Sequence, residues 1–402
     1  MAARPRTHRT DIAIAGGGPV GLTLALALAR RGYETVVIDA AAAPKAGKAV
    51  NDSRAFFIAY GCWRIFRALG LEQELLADAE PVSSVEAEGR IGGISFLAED
   101  CREPVLGYMI EAAKLAPVLH RAVAAEHGIR LIAPAKIEAV EFGDAEVCLK
   151  LESGEAHACV AIGCDGAKSV VRKAAGLRFE GREYDAKAIS TTVKLGKPHN
   201  GAARQIFLPG GPMAVLPLKD NRANLIWTER AAVADALAAF DDQGFELELA
   251  KKAGDFLPDA KLAGPRHAFG LGLFVAERFH APRAVLAGDS AHVIHPLGGQ
   301  GLNLGLKDAA ALVDVIHTAA RAGLDIGAES ALEPYTAWRR ADVVATAAAM
   351  EGFARTFSAP LPLRLAAGLA MQAAGSVREA RKLFAREAGG DLGDLPTLMR
   401  AI

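Results

Sequence analysis

Asp11-Ile12-Ala13-Ile14-Ala15-Gly16-Gly17-Gly18-Pro19-Val20-Gly21 is the stretch that decides the fold. Five residues of apolar strand run straight into a glycine turn, and Leu22 to Ala29 then reads as a helix closed by Arg30, Arg31 and Gly32. A second short apolar strand, Val36 to Ile38, ends on Asp39, 21 positions after Gly18. Strand, tight turn, helix, strand and terminal acid at these spacings make a dinucleotide-binding βαβ unit. Gly16 permits the turn, Gly18 lets the backbone approach a pyrophosphate, and Gly21 lets helix and strand pack closely. The phosphates then face the helix N-terminus. Asp39 is placed to accept hydrogen bonds from a ribose. A glycine-rich turn alone has purely structural uses; here every neighbouring element is in register with a cofactor.

Two further motifs narrow the dinucleotide. From Lys136 to Ile162 the chain alternates as strands do and ends on Cys164-Asp165-Gly166-Ala167-Lys168-Ser169-Val170-Val171-Arg172. An Asp-Gly after a strand is ordinarily a turn; Ser169 and Arg172 here suggest a polar wall and a cation beside a charged ligand. Further on, the strand candidate Ala284 to Ala287 meets Gly288-Asp289-Ser290-Ala291-His292. The chain continues as Pro296-Leu297-Gly298-Gly299-Gln300-Gly301-Leu302-Asn303-Leu304-Gly305, and Asp308 to Ala320 has helical composition. A second glycine loop thus delivers backbone N–H groups to a helix N-terminus, which stabilises negative charge. A reduced flavin carries such charge at the N1 and O2 edge of its ring. Asp289, at a strand end, is placed to bond a ribityl hydroxyl.

Together these residues resemble the class A FAD-dependent aromatic hydroxylases, the para-hydroxybenzoate hydroxylase fold. The N-terminal fingerprint, CDGAKSVVR (164–172) and LAGDSAHVIHPLGGQGLNLGLKDA (286–309) stand in that family's order, and the match covers most of the chain. Within the family the chain is most similar to the ubiquinone-biosynthesis hydroxylases, through SRAFFIAYGCWRIFRALGL (53–71), GYMIEAAKLAPVL (107–119) and the tail LFAREAGGDLGDLPTLMRAI (383–402). The resemblance implies that Gly16, Gly18, Gly21 and Asp39 hold the ADP part of FAD, with Arg54 near its phosphates. It also implies that Asp165 and Gly166 face FAD and the path of NAD(P)H, a transient co-substrate. Gly288 and Asp289 would bind the ribityl chain, and Pro296, Gly298, Gly299, Gln300, Gly301, Leu302 and Asn303 would line the flavin ring. Two departures from the pattern stand out: Ala55-Phe56-Phe57-Ile58 is bulkier than the expected Ala-x-Ala-Leu, and Ser290 stands where alanine is usual.

The expected fold class is α/β: a Rossmann-like FAD-binding domain, an inserted antiparallel-sheet substrate domain and a helical C-terminus. The FAD domain is discontinuous, from residues 1–80, 102–178 and 270–350, and residues 81–101 and 179–269 form the sheet domain. Strand candidates at 186–195, 203–208, 213–218 and 223–228, separated by Gly, Pro, Asn and Asp turns, give that sheet. Phe207, Met213, Val215, Leu216 and Trp227 are candidates for an apolar face over the flavin, against the commoner reading as plain core. Residues 351–402 read as C-terminal helices. Their Leu363 to Met371 stretch and Arg378, Arg381, Lys382 and Arg386 suggest contact with an inner membrane or a biosynthetic complex, against a solvated helix packed on the body.

Composition excludes other classes. With 46 Lys plus Arg against 47 Asp plus Glu, no field of one sign draws nucleic acid. The basic start followed by an apolar run imitates a secretory signal, but Gly16 to Pro19 interrupt it. No run approaches the roughly 18 uninterrupted apolar residues a membrane-spanning helix needs. Five scattered cysteines without a Cys-x-x-Cys pair read as reduced thiols of a cytoplasmic protein, and no metal site is expected. His292 and His295, three apart and without a ligand pattern, are structural or flavin-facing candidates. No general base is identifiable.

The family's reaction reduces FAD with NAD(P)H, activates O2 and delivers an OH to an aromatic ring, here a prenylated phenol of ubiquinone biosynthesis. Three other readings remain: a hydroxylase of another aromatic, a flavin reductase on the same fold, and a non-catalytic FAD-stabilised subunit of a biosynthetic complex. An internal arginine aimed at a carboxylate would favour a small acid; an open apolar pocket would favour the quinone precursor.

Overall fold

A computed structural model describes residues 6–44, 52–89, 92–101, 103–295, 297–358 and 361–400. The first strand, Arg6–Ala15, lies between Gly154–Gly163 and Thr35–Ile38, and all three run parallel. Ile129–Ile132 extends this parallel group on one side and Ala284–Leu286 on the other. An antiparallel meander, Ile137–Phe142 and Val147–Leu151, leads into Gly154–Gly163. The strand Arg6–Ala15 reaches further back than the sequence pattern shows, because its polar first half pairs with Gly154–Ala158 alone while Thr35–Ile38 covers only Ile12–Ala15.

The helix Pro19–Ala29 is buried along its whole length from Gly21 to Leu28. It packs between this sheet and the helices Ala112–Ala125 and Gln300–Arg321. A helix apolar all round belongs in a core, so truncating Leu24 or Leu26, neither exposed, costs about 2–5 kcal/mol.

Among the described residues nine strands form a second, mainly antiparallel sheet, in which Phe179–Lys194 pairs with three others. Phe179–Lys194, Ala202–Leu208, Gly211–Leu218 and Arg222–Arg230 occupy the four stretches where the alternation and turn residues point to strands. The excursion Ser84–Glu88 and Gly93–Leu97 joins it through a parallel pairing with Ala202–Leu208. The strand His267–Ala276 pairs with Phe179–Lys194 and runs across the boundary expected between residues 269 and 270.

Strand parity corrects one expectation. Met213 and Val215 point to a core with Trp227, Phe245 and Leu249 on one face of the sheet, whereas Phe207 and Leu216 line a cavity on the other. Neighbouring residues of a strand face opposite sides, so the five residues named from composition could not share one face.

The helices Glu329–Ser358, Leu361–Ser376 and Arg378–Ala388 fold back over the second sheet, the last two packing on Gly93–Leu97. Among the described residues no helix is long and apolar enough to cross a membrane.

Candidate active site

The two glycine-led helices converge on one crevice because side chains are missing where they approach. A Cβ on Gly16, whose φ is +104°, would sit 2.3 Å from the carbonyl oxygen of Cys164, and one on Gly21 would sit 2.0 Å from that of Gly16. On the other helix, a Cβ on Gly305 would meet Val20 at 2.7 Å and the Gly288 backbone at 3.2 Å. Gly18 and Gly301 differ: nothing lies within 4 Å of a Cβ there, and the space is open.

Asp39 ends its strand where the motif requires. One carboxylate oxygen accepts from Gly17 N at 2.5 Å and the other from Ala41 N at 2.6 Å. Each oxygen keeps a second lone pair for a ribose hydroxyl. Arg54 pairs with Asp52 at 2.7 Å on a largely exposed side chain, close enough to Asp289 for their charges to interact. Asp289 is reached by solvent yet enclosed by protein on most sides, and that enclosure pushes its carboxyl pKa up, against the opposing effect of His292 and Arg54. Asp165 Oδ2 accepts from Val170 N at 2.6 Å, while Asp165 Oδ1 and Ser53 Oγ are buried without a hydrogen-bond partner. Gly166 takes a φ of +77° beside it.

Three expectations need redrawing. Ser169 caps the short helix Val170–Ala174, and Arg172 is buried, donating to Ser290 O at 2.8 Å and Ala167 O at 2.6 Å and lying 3.8 Å over the Phe179 ring. Arg172 is therefore a clamp between two loops, and no charge faces the crevice from it. The expected glycine loop is short: Gly298 and Gly299, with φ of +66° and +63°, make the turn, and Gln300 to Asn303 already form the first turn of Gln300–Arg321. The N–H groups of a first helical turn have no i−4 partner inside the helix. Asn303 is buried with its amide engaged by Ala59 N, Phe57 O and Gly299 O at 2.9–3.0 Å, so it fastens the helix start to the strand Ala55–Ala59. Pro296 lies outside the described residues.

Beneath the Gly288 turn sits a charge cluster that sequence reasoning missed. Asp308 Oδ2 accepts from Gly288 N at 3.0 Å and meets His292 Nε2 at 2.6 Å, and Oδ1 accepts from Arg339 Nε at 2.8 Å. His292, Asp308 and Arg339 are all buried. Burial works to raise Asp308, but His292 and Arg339 beside it hold its pKa down to about 2. His292 is thus the structural histidine of the pair. Ser290, in place of the usual alanine, is buried and accepts from Ala287 N at 3.1 Å, pinning the same turn. Away from the crevice, Cys148, Glu155 and His157 lie close together on the meander, and neither His292 nor His295 joins them.

A cavity of about 430 Å³ opens over Gly298, Gly299 and Gln300. Phe57, Phe96, Leu216 and Ile226 wall one side, and the C-terminal helices close the other with Met350, Phe353, Met371 and Phe384. Its Arg204 is committed: it donates to Phe256 O at 3.0 Å and pairs with Glu86 and Glu88. A cavity of about 460 Å³ at Thr7 to Thr10 lies at the opposite end of the parallel strands from the glycine turns, where open α/β sheets do not bind ligands.

The model of the FAD binding domain family matches residues 9–350. The chain belongs to this FAD-binding family. The flavoprotein is 35% identical to ubiquinone hydroxylase UbiL of Rhodospirillum rubrum, over 98% of the chain and 93% of that protein. It is 34% identical to 3-demethoxyubiquinol 3-hydroxylase of Escherichia coli, over 91% and 94%. Its fold matches p-nitrophenol 4-monooxygenase PnpA of Pseudomonas putida with a TM-score of 0.78 at 20% identity, over 95% and 98% of the two chains. It is a flavin-dependent monooxygenase with FAD as its cofactor and NAD(P)H as its reductant.

The crevice fits FAD on its own features. Space is open above Gly18 for a pyrophosphate and above Gly301 for a ring, and Asp289 is reached by solvent at the end of the strand between them.

Proposed function

We propose that this flavoprotein hydroxylates the ring of a prenylated phenol in ubiquinone biosynthesis. The observation that carries the reading is the apolar cavity whose floor is the start of Gln300–Arg321. Among the described residues its one arginine is occupied by Glu86 and Glu88, and Glu387 adds a carboxylate to the lining, so these residues offer no counter-charge to a small aromatic acid. A phenol ring with an isoprenoid chain suits an apolar chamber closed by Phe and Met side chains. The names of the UbiL and demethoxyubiquinol hydroxylase relatives point the same way.

In this reading the first sheet and the helix Gln300–Arg321 carry FAD, and the second sheet with the C-terminal helices carries the substrate. Gly16, Gly18, Gly21 and Asp39 hold the ADP part, Arg54 balances its phosphates, and Asp165, Gly166, Gly288 and Asp289 hold the pyrophosphate and ribityl chain. Gly298 to Leu302 line the ring through backbone N–H groups, with Asn303 bracing them. Bound FAD supplies the redox chemistry and oxygen activation. The protein's own part is to hold the phenol over the helix start, to stabilise negative charge there, and to keep water out.

The C-terminal helices expose Leu363, Leu369, Val377 and Leu383 outward while Met371 and Phe384 face the chamber. Arg378, Arg381, Lys382 and Arg386 lie on the same segment. We infer a peripheral contact with an anionic membrane here, so that the isoprenoid chain leaves the chamber into lipid.

The test is reconstitution with FAD, followed by NADPH oxidation with and without a prenylated phenol. Oxidation stimulated by the phenol, with a product heavier by one oxygen, is expected. A yellow protein inert to the phenol and stimulated by a small aromatic acid refutes the substrate; one inert to all is the non-catalytic subunit.

A further inference from the structure

Away from the crevice, the meander of the first sheet carries a side-chain cluster that the flavin chemistry leaves unused. Neighbouring residues of a strand face opposite sides. Along Val147–Leu151 and Gly154–Gly163, Val147, Leu149, Leu151, Ala156 and Ala158 are buried in the core. Cys148, Glu155 and His157 are thereby left together on the outer face, each half-buried. Register completes the grouping: Cys148 stands directly opposite His157 across the antiparallel pair, and Glu155 is two residues before His157 on the same strand. Cys148 Sγ lies 3.7 Å from Glu155 Oε2, and His157 Nε2 lies 3.3 Å from Glu155 Oε1. One donor atom from each of the three residues falls within 4.8 Å of the others. The linear sequence gives no metal signal here, because the histidine that meets Cys148 arrives only through the hairpin's register.

A tetrahedral zinc ion, with Zn–S about 2.3 Å and Zn–N or Zn–O about 2.0–2.1 Å, sets a thiolate about 3.5 Å and an imidazole nitrogen about 3.3 Å from a carboxylate oxygen. The cluster's own separations are close to both. The other ring nitrogen is already held: His157 Nδ1 lies 2.8 Å from Glu146 Oε1, and Arg9 Nη1 holds Glu146 Oε2 at 2.9 Å. A neutral imidazole carries one N–H. Donation from Nδ1 to Glu146 therefore turns the Nε2 lone pair toward the Glu155 carboxylate, an arrangement that calls for a cation between them. A carboxylate behind a histidine is how metal-bound imidazoles are oriented. A second proton on the ring is the other way to satisfy both carboxylates, and it gives Cys148 no part. Lys150, on the same face, does not fill the gap, since Glu141 holds its ammonium at 2.5 Å.

We propose that Cys148, Glu155 and His157 form a site for a divalent cation of the zinc class, with water as the fourth ligand and Glu146 as the positioning residue for His157. The donor set selects the ion. A thiolate and an imidazole turn away Mg²⁺ and Ca²⁺, which take oxygen ligands, and the carboxylate favours a divalent ion over Cu(I). Binding exchanges a proton for the metal: the Cys148 S–H bond breaks, the sulfur bonds the ion, and the proton passes to solvent. His157 pairs with Arg9 and Gly163 with Ala15 along the same two strands. At about 3.3 Å per residue, the site lies about 20 Å along the strand from Gly163, where the Cys164–Gly166 turn begins. The ion is thus remote from the flavin crevice, and its part is to fasten the hairpin whose second strand leads into that turn.

The experiment uses the full chain, free of any affinity tag, loaded with FAD and cleared of metal by a chelator. It is titrated with Zn²⁺ by calorimetry and with Co²⁺ by absorption. Wild type should bind one Zn²⁺ per chain, and Co²⁺ should give tetrahedral bands to the red of the flavin together with a thiolate charge-transfer band. Cys148→Ser should lose the charge-transfer band. Glu146→Gln should weaken Zn²⁺ about 10–100-fold, as loss of an outer partner does, and Cys148→Ser and His157→Gln should each weaken it further. Lys150→Gln, on the same face, should not weaken it. Zn²⁺ should shield Cys148 from alkylation while Cys101 reacts as before, a readout that needs no variant to fold. It should also raise the unfolding midpoint of wild type and not of Cys148→Ser, with the rate of flavin reduction by NADPH unchanged. Zn²⁺ binding well below one per chain, binding equally strong in Cys148→Ser and His157→Gln, or a Cys148 that alkylates freely at saturating Zn²⁺ overturns the proposal and leaves His157 as a protonated ring between two carboxylates.

Discussion

Asp308→Asn removes the charge that joins the Gly288 turn to the C-terminal helices, and its cost follows from the structure in two ways. In the fold the carboxylate is fully buried with Gly288 N, His292 and Arg339 around it, and its pKa is held to about 2 against an ordinary 3.8. A depressed carboxyl pKa contributes stability that is present above 3.8 and disappears as pH falls through about 2, here about 2–3 kcal/mol. Removing one partner of a buried pair costs about 3–5 kcal/mol, because the other charge stays buried. Arg339 keeps only Asp342, whose side chain is 36% exposed. A value of about 3 kcal/mol at pH 7 is common to both routes. At roughly 2.1 cal/mol/K per residue, unfolding of a chain this size carries about 0.8 kcal/mol/K, so the midpoint should fall about 4 °C. The assay is thermal unfolding of wild type, Asp308→Asn and Asp342→Asn, with and without FAD. Asp342→Asn should cost under about 1 kcal/mol, as a half-exposed partner does. Equal shifts for the two variants, or a shift under about 1 °C for Asp308→Asn, would refute the reasoning.

Gly21→Ala drives a Cβ into the Gly16 carbonyl and should unfold or strongly destabilise the apoprotein, whereas Gly18→Ala meets open space and should fold normally yet retain little FAD; unfolding midpoint and the visible spectrum separate the two. Wild-type stability should fall away between about pH 4 and pH 2 as Asp308 takes up its proton, and this acid limb should be blunted in Asp308→Asn. Phe384→Ala opens the wall of the apolar chamber and should raise KM for a long-chain prenylated phenol several-fold while a chainless phenol is little affected. Replacing Leu363, Leu369 and Leu383 together by Glu should abolish co-sedimentation with anionic vesicles and leave turnover of a detergent-dispersed substrate intact; vesicle binding as strong as wild type would dismiss the membrane contact.

What could be read from the sequence was whatever a local steric requirement writes into a few adjacent residues. The Gly16–Gly21 turn and the Gly298–Gly299 turn are of that kind, since only glycine tolerates their backbone angles or approaches, and Asp39 follows at the fixed spacing of the same βαβ unit. The four strands from 179 to 230 were legible for the same reason, through alternation and turn residues. Parity along Gly211–Leu218 was equally present, and attending to it would have separated Leu216 from Val215. Other features depend on contacts between distant segments. Asp308 is one of two acids in its helix, with Asp314, and only the approach of Arg339, 31 positions later, gives it its role. Arg172 looked like a ligand-facing cation because its carbonyl partners at Ala167 and Ser290 and its stacking on Phe179 carry no mark in the chain.

The C-terminal helices show why site and scaffold are inseparable here. Glu329–Ser358 supplies Arg339 to the cluster beneath the flavin turn and, three turns on, Met350 and Phe353 to the substrate wall. A rise of 1.5 Å per residue puts Arg339 and Arg355 about 24 Å apart on one rigid rod. Loosening that rod at Asp308 should therefore disturb the flavin turn and the phenol pocket together. If Asp308→Asn weakens FAD and phenol binding in parallel while Asp342→Asn weakens neither, the helix is the wall shared by cofactor and substrate.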